Sequence, residues 1–376
     1  RLKYRKKGQE KWDETEWQTV DIEADFVTQF MLADLIAGEE YEILVEASPL
    51  KGKKVSASIE GKFKTAPTKD SNEEINFIVT TCTSYPDVDS ETGYKLYPSS
   101  LKLDPEFFVH TGDIVYYDGM GKTLELARWH WDRIYSMQNH IDFHRQVTSY
   151  FIKDDHDTWM NDAYPGLKTR FMGEFTYEQG TQVFLDQVPM GEKTYRTVRW
   201  GKHLQIWMVE GRDFRSPNPM PDGPDKTIWG KEQIEWFKST VLASDAKFKI
   251  LMSPTPMVGP DRPNKNDNHA NEGFKTEGDM LRKFMSEQNM VNINGDRHWQ
   301  YVSKDDETGL LEFGCGAGSD AHAGGWKQED FLPEHIYLNV VGGFLEGVVS
   351  ENDGNPTLTF RHYDPDGKIL NEYIIE

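Results

Sequence analysis

Phe107-Phe108-Val109-His110-Thr111-Gly112-Asp113 is the stretch on which the fold turns. A short β-prone run reaches a glycine, which lets the backbone turn sharply, and then delivers an aspartate. The same arrangement recurs on either side. Ile75-Asn76-Phe77-Ile78-Val79-Thr80 runs into Thr81-Cys82-Thr83-Ser84. Ser149-Tyr150-Phe151-Ile152 runs into Lys153-Asp154-Asp155-His156, and Val291-Asn292-Ile293-Asn294 into Gly295-Asp296-Arg297-His298. Between these runs lie helix-like segments at 123–137, Lys231–Leu242 and Asp279–Glu287, and further strands at His203–Val209 and Phe248–Met252. Strands alternating with helices predict an α/β (α+β) core.

Composition narrows the class. The chain has 376 residues, 37% of them hydrophobic and 11 of them tryptophan, which is enough apolar surface to exclude a disordered chain. With 63 acidic residues against 42 basic ones the net charge is -21, a field that repels polyanions and excludes broad nucleic-acid binding. Only Cys82 and Cys315 are present, so a small disulfide scaffold is excluded, while one bridge remains open. No apolar run is long enough to span a bilayer, so no transmembrane segment is expected. The chain opens on Arg1 with no leader segment and reads as a trimmed or mature form.

Ligand sites in α/β sheets collect beyond the carboxyl ends of strands. Cys82, Asp113, Asp155-His156 and Asp296-x-His298 all fall there, and together they have the layout of a metal centre. Alone, each block has a plainer reading: a buried thiol, an ordinary turn, a solvated acidic loop, a turn with a satisfied histidine. Their joint occurrence favours metal. Asp113 can bridge two cations, and Tyr116 offers a phenolate to a hard trivalent ion such as iron. Burying the adjacent carboxylates of Asp154-Asp155 without cations is expensive, so Asp155 is read as a ligand and His156 as reaching the substrate. Asp296 and His298, two apart after a strand, point the same way.

Residues 1–68 alternate in short β-type runs, among them Thr19–Ile22, Phe30–Leu32 and Tyr41–Val45. Gly61-Lys62-Phe63-Lys64-Thr65-Ala66-Pro67 resembles the end of a fibronectin III/Ig-like β-sandwich domain, and polar residues 68–74 read as a linker. Taken together, the blocks resemble the PhoD-like alkaline phosphatase/phosphodiesterase family of metallophosphoesterases. Asp154-Asp155-His156-Asp157 is the most specific match, and Glu210-Gly211-Arg212-Asp213-Phe214-Arg215 resembles a further strand end bearing arginine. The resemblance implies a metallophosphoesterase-type β-sandwich core flanked by helices over 72–376, after an N-terminal β domain over 1–68.

It also implies Fe(III) with Ca(II), with Zn, Mn or Mg as alternatives. Cys82, Tyr116 and His298 would hold iron, Asp113 would bridge, and Asp155 and Asp296 would serve the second site with help from Asn161. The implied activity is hydrolysis of a small phosphate ester by a metal-bound hydroxide, with His156 as proton donor, in a secreted, periplasmic or cell-surface protein. Arg212 is left with two roles, a phosphate clamp or a core salt-bridge partner. Asp154, His269 and His322 stay unassigned. The loop Asn264-Lys265-Asn266-Asp267-Asn268-His269 lacks the family's usual tryptophan, which leaves substrate preference open. A diesterase or sulfatase on the same metals, or a metal-stapled binding module, are the competing readings.

Overall fold

The alternation of apolar residues builds two facing sheets. The computed structural model describes all residues of the chain except Lys53 and Glu192. Its first four strands are β1 (Leu2–Lys6), β2 (Asp13–Glu14), β3 (Glu40–Ala47) and β4 (Ala57–Lys64). Then follow β5 (Ile75–Thr80), β6 (Phe107–His110), β7 (Thr148–Phe151), β8 (Arg196–Trp200), β9 (Leu204–Met208), β10 (Phe248–Ser253) and β11 (Met290–Asn294). The last six are β12 (Gln300–Lys304), β13 (Leu311–Cys315), β14 (His335–Asn339), β15 (Phe344–Asn352), β16 (Asn355–Tyr363) and β17 (Ile369–Ile375).

One sheet runs β17-β16-β15-β5-β6-β7, the other β14-β12-β13-β11-β10-β9-β8. In β5 and β6 the residues Phe77, Val79, Phe107 and Val109 face inward, and they meet Leu204, Ile206, Met208, Ile250 and Met252 of the opposite sheet. Phe107 stacks between Phe77 at 5.0 Å and Trp200 at 4.6 Å. Each such fully buried aromatic is worth about 1.5–3 kcal/mol. The outward residues need covers of their own. Helices Gly230–Leu242 and Lys275–Glu287 place Phe237, Val241, Leu281 and Met285 over Trp207 and Leu251. Helices Leu96–Leu101 and Gln138–His144 place Tyr97 and Phe143 over Ile78 and Phe108. The expected sandwich core flanked by helices is therefore present. Strands β5, β6 and β7 are parallel, so their carboxyl ends lie at one edge; β9, β10, β11 and β13 are likewise parallel.

The N-terminal region differs from expectation. Among the described residues it forms one antiparallel sheet, β2-β1-β3-β4, without a second sheet facing it. Thr19–Ile22 and Phe30–Leu32 are not strands, and Ile22 and Met31 are exposed. An apolar run becomes a strand only where it pairs with an edge, and among the described residues these runs pair with none. The sheet instead leans on the larger unit through its edge. The Lys62 N–H donates to the Arg145 carbonyl at 2.7 Å, and the Lys64 backbone exchanges hydrogen bonds with the Thr148 hydroxyl at 3.1 and 2.8 Å.

Candidate metal centre

Three of the predicted residues sit in a backbone conformation that side chains usually avoid. Cys82, Asp113 and Asp296 have φ of 55°, 56° and 62°. Holding non-glycine residues there costs on the order of 1–3 kcal/mol each and occurs mainly at functional sites. Backbone contacts between the strand ends enforce it. The Cys82 N–H donates to the Gly112 carbonyl at 3.1 Å, the Thr83 N–H to the Asp113 carbonyl at 2.9 Å, and the Asp296 N–H to the Thr81 hydroxyl at 3.3 Å. Gly112 permits the approach of the third strand end. A Cβ there would lie 2.7 Å from Cβ of Asp154. Beyond β7, a short helix at Asp155–Thr158 begins with a capping box, in which Asp157 accepts from the Asp154 N–H at 2.6 Å. That cap aims Asp154 and Asp155 at Asp113.

The four blocks meet. Donor atoms of Cys82, Asp113 and His298 lie within 4.8 Å of one another; so do those of Asp113, Asp155 and His156, and those of Asp113, Asp154 and Asp296. Asp113 belongs to all three groups. It is fully buried, and its Oδ1 has no hydrogen-bond partner among the described residues; the same holds for Oδ2 of Asp154. Buried carboxylate oxygens are seldom left so, because each orphaned group costs about 1–3 kcal/mol. Burial pushes the Asp113 carboxyl well above its ordinary range; His156 opposes this, and the charges of Asp155, Asp154 and Asp157 add to the rise. Burial and Asp113 likewise raise the Cys82 thiol and the Tyr116 phenol. Protein alone disfavours ionisation here; cations reverse that logic. Sulfur, phenol, imidazole and several carboxylates form a donor set that fits a mixed metal pair. Both cysteines are free, so Cys82 is available as a ligand.

The Tyr116 hydroxyl lies 3.4 Å from Oδ2 of Asp113 and 2.9 Å from Nε2 of His322. His322 is held by Asp87 through Nδ1 at 2.7 Å, and its ring lies 4.2 Å from that of His298. His156 stacks on Tyr116 at 4.3 Å and pairs through Nδ1 with Asp118. Burial opposes charge on His156, but Asp155 and Asp113 outweigh it and lift its pKa well above the ordinary value. Asn161 is exposed, and its N–H donates to Asp118 at 3.0 Å. Arg212 is fully buried. Its Nε donates to Asp154 at 2.5 Å and a second nitrogen lies 3.6 Å from Asp155. His269 pairs with Glu277 at 2.8 Å among buried aromatic neighbours.

Sequence reasoning missed Asp118, although it lies two residues after Tyr116 in a block already singled out. It also missed Asp87, whose only signal is a place five residues beyond Cys82. His322, in Gly318-Ser319-Asp320-Ala321-His322, carries no role that the sequence alone assigns.

Facing sheets with carboxylate, thiol and imidazole donors converging at their shared edge define a metallophosphoesterase-like phosphoric ester hydrolase. The chain belongs to the PhoD-like phosphatase family, whose model matches residues 77–331. Among solved structures, it is similar to PhoD at 16% identity and a TM-score of 0.78, covering 100% of this chain and 81% of that one. It is also similar to purple acid phosphatase PPD1 from yellow lupin (Lupinus luteus) seeds at 13% identity and a TM-score of 0.69, covering 99% and 68%. GAP50, the anchor in the inner membrane complex of Plasmodium, is similar at 12% identity and a TM-score of 0.50, covering 80% and 88%. No curated protein sequence matches the chain.

Proposed function

We propose that the protein hydrolyses small phosphate esters at a mixed metal centre, in which Cys82, Tyr116 and His298 would hold Fe(III), Asp155, Asp296 and Asp154 would hold Ca(II), and Asp113 would serve both. The observation that carries this reading is the sharing of Asp113 by three ligand groups with one of its buried oxygens left unpartnered. Zn, Mn or Mg are the alternatives for the oxygen-rich side, with Asn161 nearby. Bound cations lower the pKa of water and neutralise the phosphate oxygens. The protein's own part is positional and acid–base. Asp118 fixes the His156 ring, leaving the other ring nitrogen to deliver a proton to the departing alkoxide as the ester P–O bond breaks. Arg212, paired to Asp154 and Asp155, acts as the counter-charge that orients these two carboxylates.

In this reading residues 72–376 form the catalytic unit, and residues 1–68 a fibronectin III/Ig-like module reduced here to one sheet. A location outside the cytoplasm follows from family likeness; no helix of the described residues is long and apolar enough to cross a membrane. Elemental analysis of purified protein, with a visible spectrum, tests the metal assignment. A phenolate-to-iron band that disappears in Tyr116→Phe is expected. Metal-loaded protein that releases no phosphate from any ester would overturn the function.

A further inference from the structure

Two residues before the loop that departs from the family pattern stands Arg262, a cation without a hydrogen-bonded side-chain partner among the described residues. Four arginines surround the metal centre. Arg212 is taken by Asp154 and Asp155. Arg215 donates to Oδ1 of Asn218 at 2.8 Å and to the Asp267 carbonyl at 2.5 Å. Arg297 is taken by Asp296 at 2.5 Å and Asp261 at 2.6 Å. Arg262 alone among them donates no side-chain hydrogen bond within the described residues, and its buried Nε is unpartnered. Its nearest acceptor, on Asp261, is 3.7 Å away, and Asp261 is already engaged by Arg297 and by Asn268 at 2.7 Å. The Arg262 side chain keeps 31% of its surface exposed.

Its position is fixed against Trp299 and Gly325, next to the backbone of His298. The guanidinium carbon lies 5.8 Å from the ring centre of Trp299, the residue after His298. A methyl added at Gly325 would meet a guanidinium nitrogen at 3.4 Å, and the neighbouring Gly324 N–H donates to the His298 carbonyl at 3.0 Å. Trp299 in turn stacks on Trp326 at 5.4 Å, which backs the arginine with aromatic surface.

We infer that Arg262 is the substrate-phosphate clamp and that it selects phosphomonoesters over diesters, an inference that rests on the phosphoesterase reading above. A planar guanidinium with free donors matches phosphate oxygens in pairs. A monoester carries three non-bridging oxygens, so one would remain for the arginine if two cations each held one. A diester has only two and carries one charge less.

The test uses metal-loaded protein, 4-nitrophenyl phosphate, bis(4-nitrophenyl) phosphate and inorganic phosphate. Arg262→Gln is expected to lower kcat/KM for the monoester about 10- to 100-fold and to weaken calorimetric phosphate binding by a similar factor. Diester turnover should change by less than about threefold, the scale of an outer contact, and should report that the site is intact. Arg262→Lys should recover part of the phosphate affinity. Parallel loss on both esters, or unchanged selectivity and phosphate binding, overturns the clamp. A parent enzyme that hydrolyses neither ester overturns the phosphoesterase reading instead, and phosphate binding then still decides the clamp.

Discussion

Asp113→Asn should change protein stability in opposite directions with and without metal. Asn keeps the volume of the buried side chain but removes its charge. In metal-free protein, Asp113 is fully buried within reach of Asp154, Asp155 and Asp296, and its Oδ1 is unpartnered. Burial, with the charges of Asp155, Asp154 and Asp157, raises its pKa against the pull of His156, so folding pays to keep this carboxyl there. Removing a poorly compensated buried charge is worth on the order of 1–4 kcal/mol, and Asn leaves one unpartnered buried atom, which takes back about 1 kcal/mol. A net gain of up to about 3 kcal/mol is expected in chelator. In loaded protein the sign reverses. Free metal at about 100 times Kd stabilises the native state by about 2.7 kcal/mol. A variant that no longer binds loses that increment, and more if both cation sites fail, because Asp113 serves every group. Urea unfolding of parent and variant, stripped with chelator and then reloaded with the cations found by elemental analysis, measures both signs. A variant equally destabilised in both conditions, or one that keeps full metal content, would refute the shared-bridge geometry.

His156→Ala should retain the metals but slow esters with poor leaving groups by about 10²–10⁴-fold, and activated esters far less; equal slowing across a leaving-group series argues against proton donation. Asp118→Asn should reproduce a weaker form of that pattern, since Asp118 acts only through the ring it holds. Gly180→Ala should destabilise by about 1–3 kcal/mol or more, although Ala normally improves a helix by about 0.5–1 kcal/mol. A Cβ at Gly180 would lie 1.7 Å from the Thr158 carbonyl, so helix Tyr177–Gln187 would push on the turn that carries Asp155; a higher melting temperature with unchanged metal content would count against this packing. The buried histidines set an acid limb. Burial depresses His110 and His144 to about 3 and His140 well below 6.5. Their native pKa values lie below the unfolded value, so stability is full above about 6.5 and falls as pH drops from there toward about 3, by about 1.4 kcal/mol per pH unit for each histidine. His140→Phe removes two unpartnered ring nitrogens and should flatten that slope by about one proton in urea titrations between pH 6.5 and 5; an unchanged slope refutes it.

Much of the candidate site can be read along the chain because its chemistry is written locally. Each ligand block follows an apolar run and a tight turn, so periodicity locates the strand and the turn locates the side chain. That is why Cys82, Asp113, Asp155, Asp296 and His298 are recognisable together, although each block alone has a plainer reading. The N-terminal region was over-read for the same reason. Alternation at Thr19–Ile22 and Phe30–Leu32 is a local signal, whereas strand formation needs a partner edge, which depends on the rest of the fold.

The sequence by itself determined the strand order of the chemistry, the excess of carboxylate that calls for cations, and the family. Tertiary structure alone decided which residues share a centre and what each is free to do. Asp87 meets His322 across 235 positions, a contact no spacing rule foresees. Arg212 and Arg262 look equally able to hold a phosphate when read as residues. Folding buries one against Asp154 and leaves the other without a hydrogen-bonded side-chain acceptor among the described residues, because a guanidinium's availability depends on its neighbours and on its exposure to water, and only packing sets both.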